Sequence, residues 1–232
     1  MREQQTRVVK IGGALLNDQA ALRSLARAAR DRNGLVIVHG GGALVDQRLR
    51  ERGLDAPKTD GVRTTSEHAL PVVVATLAGE VNTRLVASLV ALGVRAVGLT
   101  LADGALVRID PVDPAMGLVG TVRGGDADAA RTLLDAGFTP VIASIGADGT
   151  GQLRNVNADD AAAGVAAALN AAELTFLSDT PGVLDAEGRT IDTVRAHDAE
   201  ALIDAGVAVG GMAAKLRAAS RAARAHSIDV RI

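Results

Sequence analysis

The stretch Leu35-Val36-Ile37-Val38-His39-Gly40-Gly41-Gly42, running on into Ala43–Arg52, decides how this chain folds. Consecutive apolar residues read as a strand buried on both faces, and the glycines end it abruptly before a helical segment begins. The same grammar occurs upstream. Arg7–Ile11 reads as a strand ending in Gly12-Gly13, and Asp18–Arg32 carries Leu22, Leu25, Ala26 and Ala29 on one helical face, with Asp18 as its cap. Short apolar runs alternating with helix-period segments predict an α/β fold with a mainly parallel sheet covered by helices.

Downstream, Thr65 or Ser66 can cap a long helix reaching about Leu92, with Pro71 tolerated near its start. After a strand at Val94–Thr100, Asp103-Gly104 predicts a hairpin turn into Ala105–Ile109, and so an antiparallel excursion. A helix at Ala127–Ala136 closed by Gly137, a strand at Thr139–Ser144, an Ala-rich helix at Asp159–Asn170 and a strand at Glu173–Leu177 follow. Helices at Asp198–Ala205 and Gly211–Ala225 lead to a closing strand, Ile228–Ile232.

Composition limits the function. The 232 residues supply an ample apolar fraction as Ala, Val and Leu, with only Phe138 and Phe176 as aromatics. A formal charge of −2 gives no global field for nucleic acid or an anionic membrane. No apolar run approaches the ~20 residues of a membrane span. Cysteine is absent, which excludes disulfides, thiolate metal sites and a cysteine nucleophile, and fits a cytoplasmic protein. The 22 arginines stand against three lysines, Lys10, Lys58 and Lys215, so each remaining lysine calls for a reason.

Glycines at the carboxyl ends of parallel strands let backbone N–H groups approach an oxyanion, and the following helix N-terminus adds positive potential. Three phosphate or acyl readings of these turns fail. A P-loop Gly-x-x-x-x-Gly-Lys-Ser/Thr is absent, Gly40 and Gly42 lack the third glycine of a dinucleotide fingerprint, and Ile142-Ala143-Ser144-Ile145-Gly146 lacks the first glycine of an esterase elbow. Arg63 precedes a helix, Asn155, Asn157 and Asp159 cluster at the start of another, and Lys215 lies one turn into a third. Alone, these read as a solvated arginine, helix caps and an exposed lysine.

Taken in order, the set resembles the amino-acid kinase family. It comprises Lys10-Ile11-Gly12-Gly13, Val38-His39-Gly40-Gly41-Gly42, Gly61-Val62-Arg63, Asn155-Val156-Asn157-Ala158-Asp159, Leu177-Ser178-Asp179-Thr180-Pro181-Gly182-Val183-Leu184 and Gly210-Gly211-Met212-x-x-Lys215. The resemblance runs from residue 7 to about 230. It implies a three-layer αβα sandwich with an open, mainly parallel sheet, an N-terminal lobe (1–170) for an acyl amino acid and for dimerisation, and a C-terminal lobe (171–232) for the nucleotide. It also implies ATP-dependent phosphorylation of an acidic side chain, with N-acetyl-L-glutamate as acceptor, or a related acylated amino acid such as an aminoadipate derivative. The alternative of another class is a non-catalytic ligand-binding relative on the same scaffold, against which the presence of both lysines and Asp159 argues.

Carried over by resemblance, Lys10, Lys215, Asp159, Gly13 and Gly42 would be catalytic, the lysines meeting the phosphoryl group and Asp159 holding both. Gly41, Gly42, Arg63 and Asn155 would bind the amino acid. Lys10, Gly12, Asp179, Thr180, Pro181, Gly182, Val183, Leu184, Val207, Ala208, Val209, Gly211 and Lys215 would surround the nucleotide. Mg²⁺ would arrive with ATP, with no protein metal cage. His39 is expected to be structural. The first strand starts within a few residues of Met1, so a homodimer without arginine inhibition is expected.

Overall fold

The computed structural model describes residues 5–31, 34–59, 61–178, 182–185, 187–226 and 228–232. The first half of the chain builds β1 (Arg7–Ile11), α1 (Gln19–Asp31), β2 (Leu35–His39), α2 (Gly42–Arg50), the short hairpin β3 (Lys58–Thr59) and β4 (Val62–Arg63), α3 (Leu70–Val74) and α4 (Asn82–Ala91). Then come β5 (Ala96–Thr100), β6 (Arg108–Pro111), β7 (Val119–Gly124), α5 (Asp128–Asp135), β8 (Thr139–Ala143), β9 (Ile145–Ala147), β10 (Leu153–Val156) and α6 (Ala158–Ala168). The chain closes with β11 (Glu173–Leu177), α7 (Ala199–Asp204), α8 (Gly210–His226) and β12 (Asp229–Arg231).

Six strands form one parallel sheet in the order β12-β11-β1-β2-β8-β5. Strand β2 lies near its middle and is buried along its whole length, as its unbroken apolar run requires. Successive side chains of a strand point to opposite faces. Leu35 and Ile37 therefore pack with Leu22, Leu25 and Ala26 of α1 and Leu85 and Leu89 of α4. Val36 and Val38 pack with Ala162, Val165 and Ala166 of α6 and Ala218 and Ala222 of α8. Helices thus cover both faces, and small alanines let α6 and α8 lie close together.

Local signals behave as their chemistry dictates. Asp18 caps α1, its Oδ1 accepting from the N–H groups of Ala20 (2.7 Å) and Ala21 (3.2 Å). Gly137 ends the helix that began at Asp128 with a positive φ of 76°. Of the two capping candidates before the long helix, Ser66 takes the local role, accepting from Ala69 N at 3.2 Å. That helix is not uniform: Ala75–Val81, between α3 and α4, widens into a π-helical segment. By length and composition the stretch Leu70–Ala91 could cross a bilayer, which the sequence reading had excluded. It carries Glu80, Asn82 and Arg84, and Val73, Leu77, Leu85 and Leu89 are already buried within the fold.

The expected hairpin at Asp103-Gly104 is a correction. The turn forms, with Gly104 at φ 60°, but β5 pairs only with β8, while β6 joins a separate four-stranded sheet in the order β6-β7-β10-β9. Asp103 Oδ2 accepts from Thr100 N (2.7 Å) and Thr100 Oγ1 (2.9 Å), so its carboxylate folds back on the end of β5 and redirects the chain. The antiparallel excursion exists in that second sheet, where β6 pairs with β7 and β9 with β10.

Candidate active site

The carboxyl ends of β1 and β2 lie side by side, with Ile11 paired to His39. Each strand then runs into its glycine turn, and the two turns meet. A Cβ placed on Gly13 would stand 3.6 Å from Gly41 Cα and from Gly42 N. Beneath the second turn, His39 is fully buried and Asn82 Nδ2 lies 3.0 Å from its Nε2. Asn82 Nδ2 can only donate, so Nε2 accepts and Nδ1 carries the proton, donating to Gly40 O at 2.9 Å. Burial lowers the imidazole pKa to about 4, against a smaller opposing push from the Gly40 hydrogen bond. His39 is a neutral strut for the glycine turn.

Lys10 projects from β1 beside this turn, and its Nζ lies 2.8 Å from Asp159 Oδ1. Asp159 sits in the first turn of α6 and does not cap it. Asn157 does, accepting from Asp159 N (2.8 Å) and Asp160 N (3.3 Å), which leaves the Asp159 carboxylate to face the lysines. From the far end of the chain, Lys215 on α8 brings its Nζ to 3.9 Å from the same oxygen. Phe176 of β11 supports it from below, its ring centroid 5.5 Å from that ammonium. The three side chains are 11, 10 and 8% exposed for Lys10, Asp159 and Lys215. This cluster carries two positive charges and one negative charge with little solvent screening.

A second cluster stands across the same cleft. Arg63 on β4 is 8% exposed, and its Nη1 lies 2.5 Å from Asp46 Oδ1. It also donates to Ala56 O and to Gly42 O, each at 3.3 Å. Asn155 is buried and donates to Thr65 Oγ1 at 3.0 Å, while Thr65 Oγ1 donates to Arg63 O at 3.0 Å. A cleft of about 350 Å³ is lined by Lys10, Gly12, Gly13, Gly40–Gly42, Arg63, Asn155, Asp159 and Gly211, among others. Larger cavities lie beside β12 and α8 (about 460 Å³) and between α1, α2 and α4 (about 610 Å³, touching Gly13 and Gly41). Lys10 and Asp159 line neither, so charge rather than size picks out the site.

The sequence of the Amino acid kinase family matches residues 5–232. The chain belongs to that family. A curated relative, the acetylglutamate kinase of Serratia proteamaculans, is 43% identical over 222 residues, covering 94% of this chain and 86% of its own. Among solved structures, smu.665 from Streptococcus mutans superposes with a TM-score of 0.85 at 28% identity, covering 96% of this chain and 91% of its own. The N-acetylglutamate synthase of Neisseria gonorrhoeae, complexed with coenzyme A and N-acetyl-glutamate, gives 0.83 at 27% identity. That alignment covers 99% of this chain and 54% of the synthase.

Not every residue implied by the family resemblance faces the cleft. Gly12 and Gly211 line it, whereas Lys215 contacts Asp159 without itself being one of the lining residues. Val183 and Ala208 are buried with Ala199 and Leu216 in a small core, so their side chains serve packing there. Val209 is exposed, Leu184 bridges to Thr190, and Gly182 holds a φ of 139°. Val207 lies in the turn before α8, where its N–H bonds to Leu202 O at 3.0 Å. Asp179, Thr180 and Pro181 lie outside the described residues. Sequence reading missed Asp46, Asn82, Thr65 and Phe176, which act on site residues without belonging to a motif. For Lys58, which also lines the cleft, lysine scarcity was the available signal.

Proposed function

We propose that this chain transfers the γ-phosphoryl group of ATP to the side-chain carboxylate of N-acetyl-L-glutamate, giving ADP and an acyl phosphate, a step of arginine biosynthesis. The observation that carries this reading is the convergence of Lys10 and Lys215, from opposite ends of the chain, on Asp159 beside two facing glycine turns. The strong similarity to acetylglutamate kinases supplies the acceptor.

The chemistry needs charge control rather than a base. A carboxyl group with a pKa of about 4.3 is already ionised at neutral pH. Its oxygen attacks phosphorus, the bond to the ADP oxygen breaks, and ADP leaves with that electron pair. No proton moves. The obstacle is that two anions must meet: like unit charges ~4 Å apart repel by about 4 kcal/mol at an effective dielectric of ~20. In this proposal Lys10 and Lys215 face the equatorial oxygens, where a loose transition state spreads its charge. Asp159 holds the two ammonium groups together. Gly12, Gly13 and Gly42 supply backbone N–H donors, and Gly41, Gly42, Arg63 and Asn155 hold the acyl amino acid, Arg63 taking the α-carboxylate. The nucleotide is assigned to Gly182, Val183, Leu184 and Val207–Gly211, with Asp179–Pro181 from the family pattern. The lobes are then 1–170 for the acyl amino acid and 171–232 for the nucleotide.

Magnesium fits as a companion of ATP. No cluster of three acidic or histidine ligands exists among the described residues, and Asp159 is the carboxylate that lines the cleft. Its Oδ1 is already engaged by the ammonium groups of Lys10 and Lys215, so Mg²⁺ would be held chiefly by the nucleotide phosphates and water. Bound there, Mg²⁺ would offset charge on the nucleotide phosphates. Cytoplasmic location and homodimeric assembly belong to the same proposal and rest on the family resemblance.

The test is ADP formation with Mg-ATP and N-acetyl-L-glutamate, run beside the analogue one methylene longer. Since one methylene is worth ~1–3 kcal/mol of discrimination, a preference of tenfold or more for the glutamate derivative is expected. Preference for the longer substrate would reassign the acceptor, and no acceptor-dependent ADP would overturn the kinase reading.

A further inference from the structure

The proposed mechanism leaves one of the three lysines unused. Lys58 lines the same cleft as Lys10, and its Nζ lies 3.0 Å from Asp46 Oδ2. The other oxygen of that carboxylate, Oδ1, faces Arg63 Nη1. Lys58 and Arg63 are directly opposite each other in the β3–β4 hairpin. Like charges at such a cross-strand position repel. The carboxylate of Asp46, reaching from the first turns of α2, is what lets them share that position. Burial of Asp46 favours its neutral form, but the hydrogen bonds and charges of Arg63 and Lys58 outweigh it and hold the pKa below the ordinary value.

The donor count at Arg63 shows what this arrangement achieves. A guanidinium has five N–H donors. Asp46 and Ala56 O engage Nη1, and Gly42 O engages one hydrogen of Nη2, leaving the Nε hydrogen and the second Nη2 hydrogen for a ligand. The fork is therefore locked before any substrate arrives, and the ordering cost of a long side chain is met in advance. Asp46 alone would also cancel the charge it positions. Lys58 restores a net positive charge to the cluster, which suits the anionic acyl amino acid.

We propose that Asp46 is the positioning residue for Arg63, and that Lys58 is the counter-charge that keeps the positioned arginine electrostatically effective. The proposal rests on the acyl-amino-acid kinase reading above and adds two residues to it. Asp46 does not touch the transferring group in this scheme; it acts through Arg63.

Steady-state kinetics on the whole chain, with Mg-ATP and N-acetyl-L-glutamate each varied, test this. Asp46→Asn is expected to raise KM for the acyl amino acid about tenfold or more and KM for ATP less than threefold, because a mispositioned fork weakens acceptor binding. Asp46→Glu keeps the charge and should recover part of that loss. In an Arg63→Ala background, Asp46→Asn should add less than twofold, because the two act as one unit. Lys58→Gln should raise KM for the acyl amino acid about threefold and weaken its dependence on salt. An undiminished Asp46→Asn effect in the Arg63→Ala background, equal changes in both KM values, or a lower acceptor KM would overturn the proposal. If Asp46→Asn unfolds, the Asp46→Glu pair of single and double variants decides by the same non-additivity. Absence of acceptor-dependent ADP from the unaltered chain would instead defeat the kinase reading.

Discussion

Two clusters of the same charge pattern, two cations on one carboxylate, meet at one cleft and differ in solvent exposure. Lys10 and Asp159 of the first line the cleft, as do Lys58 and Arg63 of the second. The side chains of Lys10, Asp159 and Lys215 are only 8–11% exposed, whereas Asp46 is 29% and Lys58 45% exposed around a buried Arg63. Coulomb interactions gain strength as water is excluded, so the buried cluster suits charge that exists only fleetingly in a transition state. The second cluster, with Lys58 and Asp46 open to solvent around a fixed Arg63, suits capture of a charged substrate. In the proposed mechanism the two clusters divide the labour between transfer and binding, and the exposure of Asp46 and Lys58 is what sets the second apart.

The division is broken most severely at β1. Lys10→Ala should lower kcat about 10²–10³-fold, a loss of ~2.7–4 kcal/mol, with modest changes in either KM. A steady-state assay that found a pure KM effect would merge the two clusters into one binding site.

The strut between them gives the next largest effect. His39 has a folded pKa of about 4 against 6.5 for the unfolded residue. Its contribution to stability is complete above pH 6.5 and is lost as pH falls towards 4, by up to about 3 kcal/mol. Urea unfolding at pH 7.5 and pH 4.5 should show this loss, and His39→Gln should flatten it. An unchanged pH slope in that variant would place the effect elsewhere.

Smaller effects sharpen the contrast. Arg63→Ala should raise KM for the acyl amino acid at least tenfold and leave KM for ATP within about threefold, since an Arg–carboxylate fork is worth ~1.5–3 kcal/mol. Gly41→Ala would bring a Cβ to 2.9 Å from Leu77 Cδ2 and 3.1 Å from Val81 Cγ2. Repacking those side chains should cost about 1–3 kcal/mol of stability, readable by thermal unfolding.

Much of the main sheet was legible because its strands announce themselves. Leu35–Val38 and Thr139–Ser144 are apolar runs whose ends coincide with turn residues, and Asp18 and Gly137 mark helix ends by chemistry that acts locally. The second sheet was not. Its strands β7, β9 and β10 include Gly120, Gly146 and Arg154, whose meaning is tertiary: Cβ atoms on both glycines would collide with Ile109. Likewise Gly98 in β5 makes room for Asn82, which nothing nearby in sequence reveals. At the site, the lysines and Asp159 were readable from an ordered family pattern. Asp46 was not, because a carboxylate on a helix face acquires its meaning only when a distant hairpin places Arg63 and Lys58 against it.

The most direct test of the buried cluster as the engine of transfer is the rate of acyl phosphate formation in Lys215→Ala, trapped as hydroxamate with hydroxylamine at saturating Mg-ATP and N-acetyl-L-glutamate. A rate reduced about 10²-fold or more, with ATP still bound, is predicted. A rate within threefold of the unaltered chain would contradict it.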